Sequence, residues 1–471
     1  MVGVGIRQFA AGLNPLAPRS PNSQQLWFLP LGGTGEIGMN LNLYGHNHTW
    51  LMVDCGLTFD APLHREQDQD QHVTRYDLVA ADPRFIVERR DQLAGIVITH
   101  AHEDHVGALP RMWERLRVPV YTTAFTADVL HRKLAERGLA DQVPIQVIEP
   151  DTPFSVGPFE CRFERMTHSI PEPNALVIST PAGRVFHTGD WKLDPRPVVG
   201  TAVAPARMRG LGDLGIDAMV CDSTNALKPG YSVSEGDCEA GLLKLVSEAE
   251  GRVLVTCFGS NIARLITLAR VAAKTGRYIG LFGRSLREMY RTAVRTGYWP
   301  EDCLIIDDRH LAYLPRHEVL AVSTGSQGEY RAALMRIANN QHPYFDLEKG
   351  DTVIFSAIVI PGNEDKIARL LEALEHKRVK VIQSQHTAIP IHASGHPHAD
   401  ELRQLYQWVT PALCVPTHGE PEHMAAHAAI ARAAGVTRAL TGLNGDVFQL
   451  SDPVLIHRNY APVGRIAFEQ S

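Results

Sequence analysis

The stretch "ITHAHEDHVGALP", Ile98–Pro110, decides how the rest of this sequence is interpreted. It follows the run "LAGIV", whose apolar and β-branched content predicts a buried strand. The six residues from position 100 to 105 contain three histidines and an aspartate as candidate metal ligands: His100, His102, Asp104 and His105. A lone histidine is most often structural, but three histidines and an aspartate directly after a buried strand predict a metal site.

The spacing within this cluster predicts two binding points. His100 and His102 are two residues apart, so on an extended segment their side chains face the same way. Asp104 and His105 enter the following turn, where they can serve a second point a few ångströms away. Hydrolases that use two metal ions hold them ~3.5–4 Å apart, and this arrangement of ligands is typical of such a site.

Further candidate ligands follow apolar runs elsewhere in the chain: His168 in "RMTHSIP", Asp190 in "VFHTGDW" and His418 in "CVPTHGE". Each follows a predicted strand, so each can face the cluster at a sheet edge. Asp190 suits a carboxylate that bridges two ions, while His168 and His418 would complete one ion each. Imidazole and carboxylate ligands without thiolate favour Zn²⁺ or Mn²⁺.

Two other residues near predicted strand ends are interpreted differently. Asp54, in "LMVDCG", suits a hydrogen bond that orients a ligand better than it suits direct binding. His187 lies within a strand run, three residues before Asp190, where a structural role is the better interpretation.

Composition narrows the class of protein. A length of 471 residues predicts two or three domains. The net charge of −6 excludes the globally basic surface of many nucleic-acid binders, so positive potential for such a partner must be local. Seven cysteines without a C-x-x-C pair indicate reduced thiols. Since no apolar run reaches the ~18 residues that span a membrane, we expect a cytoplasmic protein without membrane contact.

The pattern along the chain predicts an inserted domain. Short strands and turns dominate from Leu26, whereas strand–helix alternation after Gly230 predicts a parallel α/β sheet between ligand-rich segments. We expect the following organisation: a flexible leader of unassigned role over 1–25, the first part of the main domain over 26–226, the inserted domain over 227–388, the closing part of the main domain over 389–460, a tail over 461–471, and no separate C-terminal domain.

One glycine motif, taken alone, would predict a dinucleotide-binding site. Gly33, Gly35 and Gly38 satisfy G-x-G-x-x-G, the dinucleotide-binding fingerprint. That fingerprint requires a helix directly afterwards, but here "MNLNLYG" alternates like a strand. A glycine-rich hairpin turn near the site is the better prediction.

The chain carries the motifs "PLGGTGEIGMN", "HAHEDH", "THSIPE", "CDSTNA", "GRS", "STGSQGE", "PGNE", "HASGH" and "THGE" in this order. Taken together, they resemble the metallo-β-lactamase fold, its β-CASP nuclease branch and, most specifically, the ribonuclease J family. "HAHEDH", His168, Asp190 and His418 resemble the metal-binding motifs. "CDSTNA" with Asp222, "HASGH" with His392 and His396, and "THGE" are similar to the three β-CASP motifs. "PLGGTGEIGMN", "THSIPE", "GRS", "STGSQGE" and "PGNE" follow in the family's order, so the resemblance covers roughly residues 28–445. It implies an αββα sandwich with an inserted β-CASP parallel α/β domain.

The resemblance also implies roles for individual residues. His100, His102 and His168 would hold one divalent ion, Asp104, His105 and His418 the other, and Asp190 would bridge them. Asp104 and Asp190 would thereby take part in catalysis. His396 would be the general acid at the leaving oxygen, and Asp222 would orient it.

The implied substrate is single-stranded RNA, since a histidine at the third β-CASP motif, His418, goes with RNA-processing members. The resemblance implies 5′-to-3′ exonuclease action on 5′-monophosphate ends and endonuclease action, in RNA processing and decay. It implies two cofactor ions, Zn²⁺ or Mn²⁺. We further expect a homodimer formed through the β-CASP domain.

Candidate RNA contacts follow from the predicted α/β sheet. Ligands of such sheets collect at the carboxyl ends of the strands, where backbone N–H groups at helix starts bind phosphate. The candidates there are Ser260, Asn261, Arg284, Ser285 and Ser326, together with His392 and Ser394 beside His396. Ordinary loop residues are the alternative interpretation for individual members of this set.

Two other functions fit part of the sequence. One is a small-molecule hydrolase that acts on a lactone, thioester or lactam with the same metal core; the inserted domain and "HASGH" argue against it. The other is a catalytically weak RNA-binding subunit of a nuclease complex. The presence of every motif ligand argues against that second alternative.

Overall fold

A computed structural model describes residues 6–8, 20–63 and 74–468. Of the predicted leader, residues 1–5 and 9–19 lie outside the described residues, as do residues 469–471 of the predicted tail. Residues 6–8 and 464–468, one segment from each predicted end region, form paired strands.

The strands of the described residues have the following bounds: β1 Ile6–Gln8, β2 Leu26–Gly32, β3 Leu41–His46, β4 Thr49–Val53, β5 Leu57–Leu63, β6 Thr74–Ala81, β7 Leu93–Val97, β8 Val120–Thr122, β9 Ile145–Val147, β10 Pro153–Val156, β11 Phe159–Arg165, β12 Asn174–Thr180, β13 Gly183–His187, β14 Ala218–Asp222, β15 Val253–Thr256, β16 Tyr278–Phe282, β17 Val319–Ser323, β18 Thr352–Phe355, β19 Lys380–Gln383, β20 Leu413–Thr417, β21 Arg438–Ala439, β22 Val447–Gln449, β23 Leu455–His457 and β24 Gly464–Phe468.

The helices of the described residues have the following bounds: α1 Arg84–Val87, α2 Glu103–Val106, α3 Leu109–Leu116, α4 Ala124–Ala135, α5 Pro205–Asp213, α6 Cys238–Ser247, α7 Ile262–Lys274, α8 Arg284–Arg295, α9 Asp308–Leu311, α10 Ala333–Ala338, α11 Glu364–His376, α12 Ala399–Val409 and α13 Pro421–Ala433. Short 3₁₀ turns occur at Arg90–Gln92, Glu235–Asp237, Arg316–Glu318 and Ser384–His386.

Two large sheets face each other across a common core. One has the strand order β23-β22-β2-β3-β4-β7-β8-β9 and the other β10-β11-β12-β13-β14-β20-β21. Val53 and Val97 from the first sheet lie in one buried cluster with Ile178 and Val220 from the second. Each such fully buried aliphatic side chain stabilises the fold by about 1.5–3 kcal/mol relative to exposure.

Helices cover the outer face of each large sheet. On one side Met112 of α3 and Leu130 of α4 belong to a buried cluster with Ile96 of β7. On the other side Leu405 of α12 is buried with Met219 of β14, in a cluster that α5 and α13 complete. The layers are therefore helix, sheet, sheet and helix, and the predicted αββα sandwich is confirmed.

The predicted parallel sheet is also present, with the strand order β16-β17-β15-β18-β19. All of its strand pairs are parallel. Val255 of β15 lies in a buried cluster with Leu265 of α7, while its neighbour Leu254 belongs to a cluster with Leu370 of α11. Helices thus cover both faces, because successive strand residues point to opposite sides.

Strand ends of the two large sheets meet at one edge, and this convergence positions the predicted ligands. β13, β14 and β20 are parallel neighbours, so their carboxyl ends lie side by side. Asp190 follows β13, Asp222 ends β14 and His418 follows β20 directly. In the facing sheet β4 and β7 are parallel, with Asp54 after β4 and the "HAHEDH" segment after β7.

The glycine-rich segment forms the turn between β2 and β3, as the alternation of "MNLNLYG" predicts. Gly33, Gly35 and Gly38 have φ of 86°, 82° and 90°, a left-handed conformation that glycine adopts without steric cost. The turn contacts the site, since the backbone N–H of His418 donates to the Gly33 carbonyl at 2.6 Å.

A smaller sheet with the order β1-β24-β6-β5 lies beside the sandwich, and the sequence patterns do not predict it. Within the described residues, no helix is both long enough and apolar enough to cross a lipid bilayer.

Candidate metal centre at the strand ends

The first group of predicted ligands converges around His102. The His102 Nδ1 atom lies 3.1 Å from His100 Nε2 and 3.0 Å from His168 Nε2. Asp190 Oδ2 lies 3.9 Å from the Nε2 of His100 and 3.8 Å from that of His168. One ligand atom from each of these four residues therefore fits within 4.8 Å of the others.

The second group surrounds the other side of Asp190. His105 Nε2 lies 3.6 Å from Asp104 Oδ2 and 3.2 Å from Asp190 Oδ2. His418 contacts both carboxylates, with Nε2 3.3 Å from Asp104 Oδ2 and Nδ1 2.9 Å from Asp190 Oδ1. Asp190 thus belongs to both groups, which share no other member.

Hydrogen bonds fix which ring nitrogens carry lone pairs toward the centre. His168 Nδ1 lies 2.5 Å from the Gly395 carbonyl, which can only accept, so Nδ1 carries the hydrogen. The Thr99 hydroxyl donates to the Asp54 carboxylate at 3.0 Å and therefore accepts from His100 Nδ1, also at 3.0 Å. In a neutral imidazole the other nitrogen is an acceptor. Both Nε2 atoms consequently aim lone pairs at His102.

The charge states of these rings fit a metal cation. Burial lowers the pKa of His100 and His168, and lowers the pKa of His102 to about 4, so all three are neutral at physiological pH. Three neutral rings with converging nitrogens suit a divalent cation, which imidazole and carboxylate ligands bind well. In the second group, the buried His418 Nε2 atom faces the Asp104 carboxylate at 3.3 Å.

The second group concentrates negative charge that a cation would balance. Burial opposes ionisation of Asp104 and Asp190, but facing histidines, His105 first, hold the pKa of both carboxyls below the ordinary range. Burial likewise lowers the pKa of His105 and His418, but the facing carboxylates, Asp190 first, outweigh it and raise the pKa. Positive charge is therefore favourable among these residues, whether a proton or a metal ion supplies it.

Asp54 is hydrogen-bonded to one candidate ligand directly and is connected to another through Thr99. Its Oδ2 accepts a hydrogen bond from His105 Nδ1 at 2.8 Å. Its Oδ1 accepts the Thr99 backbone N–H at 2.8 Å, and the Thr99 hydroxyl connects the carboxylate to His100. A left-handed φ of 65° aims Asp54 this way. The structure thus places Asp54 in hydrogen-bond contact with His105 and Thr99, on the far side of the His105 ring from Asp104 and Asp190.

His396 and Asp222 form a pair beside the second group. His396 Nδ1 lies 2.8 Å from Asp222 Oδ2 and 3.9 Å from Asp190 Oδ2. The backbone N–H and hydroxyl of Thr224 donate to Asp222 Oδ1 at 2.9 and 2.7 Å. The His396 side chain is 22% exposed, against 1% for Asp222, so the histidine can reach a substrate while the carboxylate holds it.

The two other predicted residues of "HASGH" lie close by. Ser394 Oγ accepts a hydrogen bond from Asn225 Nδ2 at 2.7 Å. Burial lowers the pKa of His392 to about 3, although a contact with the Ser356 backbone opposes the shift. Neither ring nitrogen makes a well-directed hydrogen bond within the described residues, so a ligand that supplied one would stabilise the ring.

The predicted contacts on the inserted domain follow the ends of three strands. Ser260 and Asn261 follow β15, Arg284 and Ser285 follow β16, and Ser326 follows β17. The Asn261 side chain accepts the Arg264 backbone N–H at 2.9 Å and so caps α7. Ser326 is buried, whereas Arg284 is exposed and pairs with Glu136 at 3.1 Å.

Several residues at the centre were not predicted. Asn40 Nδ2 lies 3.1 Å from His105 Nε2. A Cβ on Gly56 would lie 1.7 Å from the Asp104 carbonyl oxygen, so only glycine fits there. Asn40 ends "GGTGEIGMN" and Gly56 ends "VDCG", and these motif positions were the only signal.

His187 donates to or accepts from Tyr44 at 2.9 Å, and burial lowers its pKa to about 4, in keeping with the structural interpretation.

Three family models match successive parts of the chain. A β-lactamase superfamily domain matches residues 49–218, a ribonuclease J β-CASP domain matches residues 250–374, and a Zn-dependent metallo-hydrolase RNA specificity domain matches residues 386–440. The third match contains "HASGH" and His418.

Similar proteins extend over most of the chain. Ribonuclease J of Sinorhizobium meliloti is 41% identical over 94% of this chain and 77% of its own length. Ribonuclease J of Mycolicibacterium smegmatis is 37% identical, over 91% and 74%. A solved structure of a protein of unknown function from Enterococcus faecalis superposes with a TM-score of 0.61 over 90% of this chain and 100% of its own, at 16% identity, which supports the fold alone.

The fold, the His/Asp cluster and these matches define a metallo-β-lactamase-type hydrolase of the β-CASP branch. Within that class the chain belongs to the ribonuclease J family, with identity to its members across the sandwich and the inserted domain alike. It is accordingly a nuclease that depends on divalent metal and acts on RNA. This assignment removes the small-molecule hydrolase as an interpretation.

Proposed function

We propose that the centre binds two divalent cations, Zn²⁺ or Mn²⁺. His100, His102 and His168 would hold one ion, Asp104, His105 and His418 the other, and Asp190 would bridge them. The observation that carries this proposal is the position of Asp190, whose Oδ2 faces His105 at 3.2 Å and His100 at 3.9 Å while its Oδ1 faces His418 at 2.9 Å. When bound, such ions activate water and stabilise charge on phosphate oxygens.

His396 is the proposed general acid. Its Nδ1–H is directed to Asp222, which leaves Nε2 for the substrate. Burial lowers the pKa of His396, but the carboxylates of Asp222 and Asp190 outweigh it and raise the pKa above the ordinary value. The ring therefore keeps a proton near neutral pH and can deliver it from Nε2 to the oxygen that leaves the phosphorus.

His392 and Ser394 are the proposed contacts for an RNA phosphate next to the scissile bond. The ring nitrogens of His392 and the Ser394 hydroxyl lie on the same short segment as His396, so one substrate strand can meet all three. Further along the strand we propose contacts at Ser260, Asn261, Arg284, Ser285 and Ser326. With this path the enzyme acts as a 5′-to-3′ exonuclease on 5′-monophosphate ends and as an endonuclease.

The remaining proposals concern organisation. We propose the domain boundaries expected from sequence for residues 26–460, with the β-CASP domain inserted at 227–388, a cytoplasmic location, and a homodimer formed through the β-CASP domain. Light scattering on the purified chain tests the dimer, since a monomeric mass at micromolar concentration would contradict it.

Metal content and cleavage test the proposed function together. The wild type should bind two Zn²⁺ or Mn²⁺ per chain, and Asp190→Ala fewer, by elemental analysis. End-labelled single-stranded RNA with a 5′-monophosphate or a 5′-triphosphate is then cut with either metal, with Asp104→Ala as the inactive control. Mononucleotide release that prefers the monophosphate end supports the exonuclease, and internal fragments from both RNAs indicate mainly endonuclease action. A chain that binds a single ion at full activity would contradict the proposed centre.

A further inference from the structure

A basic cavity lies at the edge of the inserted sheet, outside the centre described above. It has a volume of about 280 Å³ and is lined by Arg284, Arg287, Arg331, Arg336, His342 and Asp308, among others. We call it the arginine cavity. Four guanidinium groups line it, of which Arg284 pairs with Glu136 at 3.1 Å and Arg287 with Asp308 at 2.8 Å, in a chain whose net charge is −6. The cavity is therefore a local concentration of positive groups in a chain of negative net charge.

The carboxylate does not neutralise the cavity. Asp308 Oδ2 accepts hydrogen bonds from Arg287 Nη1 at 2.8 Å and from the Tyr344 hydroxyl at 2.7 Å. Arg336 donates to the neutral backbone carbonyl of Gln341 at 3.2 Å and pairs with no carboxylate among the described residues. Guanidinium groups bind phosphate with paired, charge-assisted hydrogen bonds, so an anion with phosphate chemistry suits this lining.

Two further features of the lining point to a ligand. His342 Nδ1 is buried and has no hydrogen-bond partner among the described residues, while its ring packs against Phe282 and Tyr344 with centroids 5.4 and 4.8 Å apart. Helix α8 begins at the cavity with Gly283 as its N-cap, a residue with no side chain to cap the first N–H groups. An anion in the cavity would accept hydrogen bonds from those N–H groups.

The cavity lies on the same sheet edge that faces the catalytic segment. Gly283 and Thr324, which line it, follow β16 and β17. Ser356 follows β18, and its hydroxyl donates to the Ile391 carbonyl at 2.6 Å, next to "HASGH". In the order β16-β17-β15-β18, β17 is two positions from β18, roughly 10 Å at the usual strand spacing, and β16 is one position further. One RNA strand can thus contact both places.

We propose that the arginine cavity binds a backbone phosphate of the RNA strand at a second point, away from the scissile bond. Tyr330, directly before Arg331, is 81% exposed and gives a neighbouring base an aromatic surface. Arginine next to an exposed aromatic ring is typical of single-strand binding. The inference rests on the proposed function, because it takes RNA as the substrate of the same chain.

The test compares RNA binding by the wild type and by an Arg331→Gln/Arg336→Gln double variant. The probes are fluorescent, cleavage-resistant phosphorothioate RNAs of about 20 and about 3 nucleotides, and anisotropy is measured over a range of salt. The matched control is Arg291→Gln, which removes a guanidinium that is 59% exposed on α8 outside the cavity lining. Circular dichroism verifies that each variant is folded.

The longer RNA should bind the double variant about tenfold more weakly than the wild type. The slope of log K against log salt should fall by about 0.7 for each phosphate that the variant no longer binds. The effect should be smaller for the short RNA and for Arg291→Gln. Unchanged affinity and slope, or equal weakening for both RNA lengths, would overturn the inference. A change in oligomeric mass instead would make the cavity an interface between chains and would overturn it as well. Failure of the wild type to cut RNA at all would count against the proposed function, independently of these comparisons.

Discussion

His396 Nδ1 lies 2.8 Å from Asp222 Oδ2, although the two residues are 174 positions apart in the chain. One belongs to the segment after the inserted domain and the other to the strand before it. The insertion is thus flanked by both halves of the proposed acid pair. His396 Nδ1 also faces Asp190 Oδ2, but at 3.9 Å. The shorter contact with Asp222 therefore sets the orientation of the His396 ring.

Removing the acid should separate turnover from metal binding. We expect His396→Ala to retain its metal content and to lose about 10²–10⁴-fold in kcat, the usual contribution of a general acid. Asp222→Asn should lower kcat with little change in KM, because the His396 ring stays in place but loses its hydrogen bond to the carboxylate. Single-turnover cleavage of end-labelled RNA measures both. Turnover near the wild-type rate in His396→Ala would refute the role of this residue.

Gly56 should be essential to the position of Asp104. In Gly56→Ala the new methyl group would overlap the Asp104 carbonyl oxygen, 1.7 Å away, so we expect displacement of Asp104 and loss of one ion. Gly210→Ala is the matched control, since a Cβ there meets nothing within 4 Å. Elemental analysis and cleavage rates decide the matter. Equal metal content in Gly56→Ala and Gly210→Ala would show that the chain around Gly56 accommodates the methyl group without displacing Asp104.

A buried ion pair ties the inserted domain to the catalytic segment. Arg264 Nε donates to Glu235 at 2.8 Å and Arg264 Nη1 donates to the Ile391 carbonyl at 2.7 Å. Arg264→Met should destabilise the chain by about 3–5 kcal/mol, because it leaves Glu235 buried and unpaired. Arg264→Met with Glu235→Leu should recover part of this loss. Urea denaturation measures both, and equal stability of the single variant and the wild type would contradict the expectation.

His427 should make stability depend on pH. Its Nδ1 lies 2.8 Å from Ser223 Oγ and its Nε2 lies 2.7 Å from the Tyr406 hydroxyl. Burial lowers its pKa from 6.5 to about 4. The unfolded chain therefore binds more protons between these values, and stability falls as pH drops from 6.5 toward 4. We expect a loss of about 2 kcal/mol at pH 5 relative to pH 7.

The control for this effect is His427→Gln, whose amide has no proton to gain in that range. Between pH 7 and pH 5, the free energy of unfolding should fall less for His427→Gln than for the wild type. Denaturation series at each pH measure both losses. Parallel declines for the two chains would assign the pH dependence to other groups.

Some parts of the candidate site follow from patterns of a few neighbouring residues, and these could be predicted from the sequence. His100 and His102 could be assigned to one point from strand periodicity, and Asp190 and His418 from their places just after apolar runs. The αββα sandwich and the parallel sheet, both confirmed, follow from the same periodicities. Each of these inferences needs only a few neighbouring residues.

The remaining features depend on contacts between distant segments. Nothing around Gly395 signals that its carbonyl fixes the tautomer of His168, and nothing around Arg287 and Arg336 signals that they line one cavity. The small sheet that pairs β24 with β6 was likewise missed, because 464–468 was interpreted as tail. Such relationships arise from the packing of whole layers, so local pattern cannot reveal them.

The spread of the ligands along the chain has a consequence for synthesis in the cell. The first, His100, and the last, His418, are separated by both the rest of the sandwich and the whole inserted sheet. A nascent chain on the ribosome therefore lacks a complete centre until translation has passed position 418 and β20 has taken its place beside β14. With the proposed ligand set, the growing polypeptide would have no complete centre with which to cleave its own messenger during most of its production, and no inhibitor would be needed.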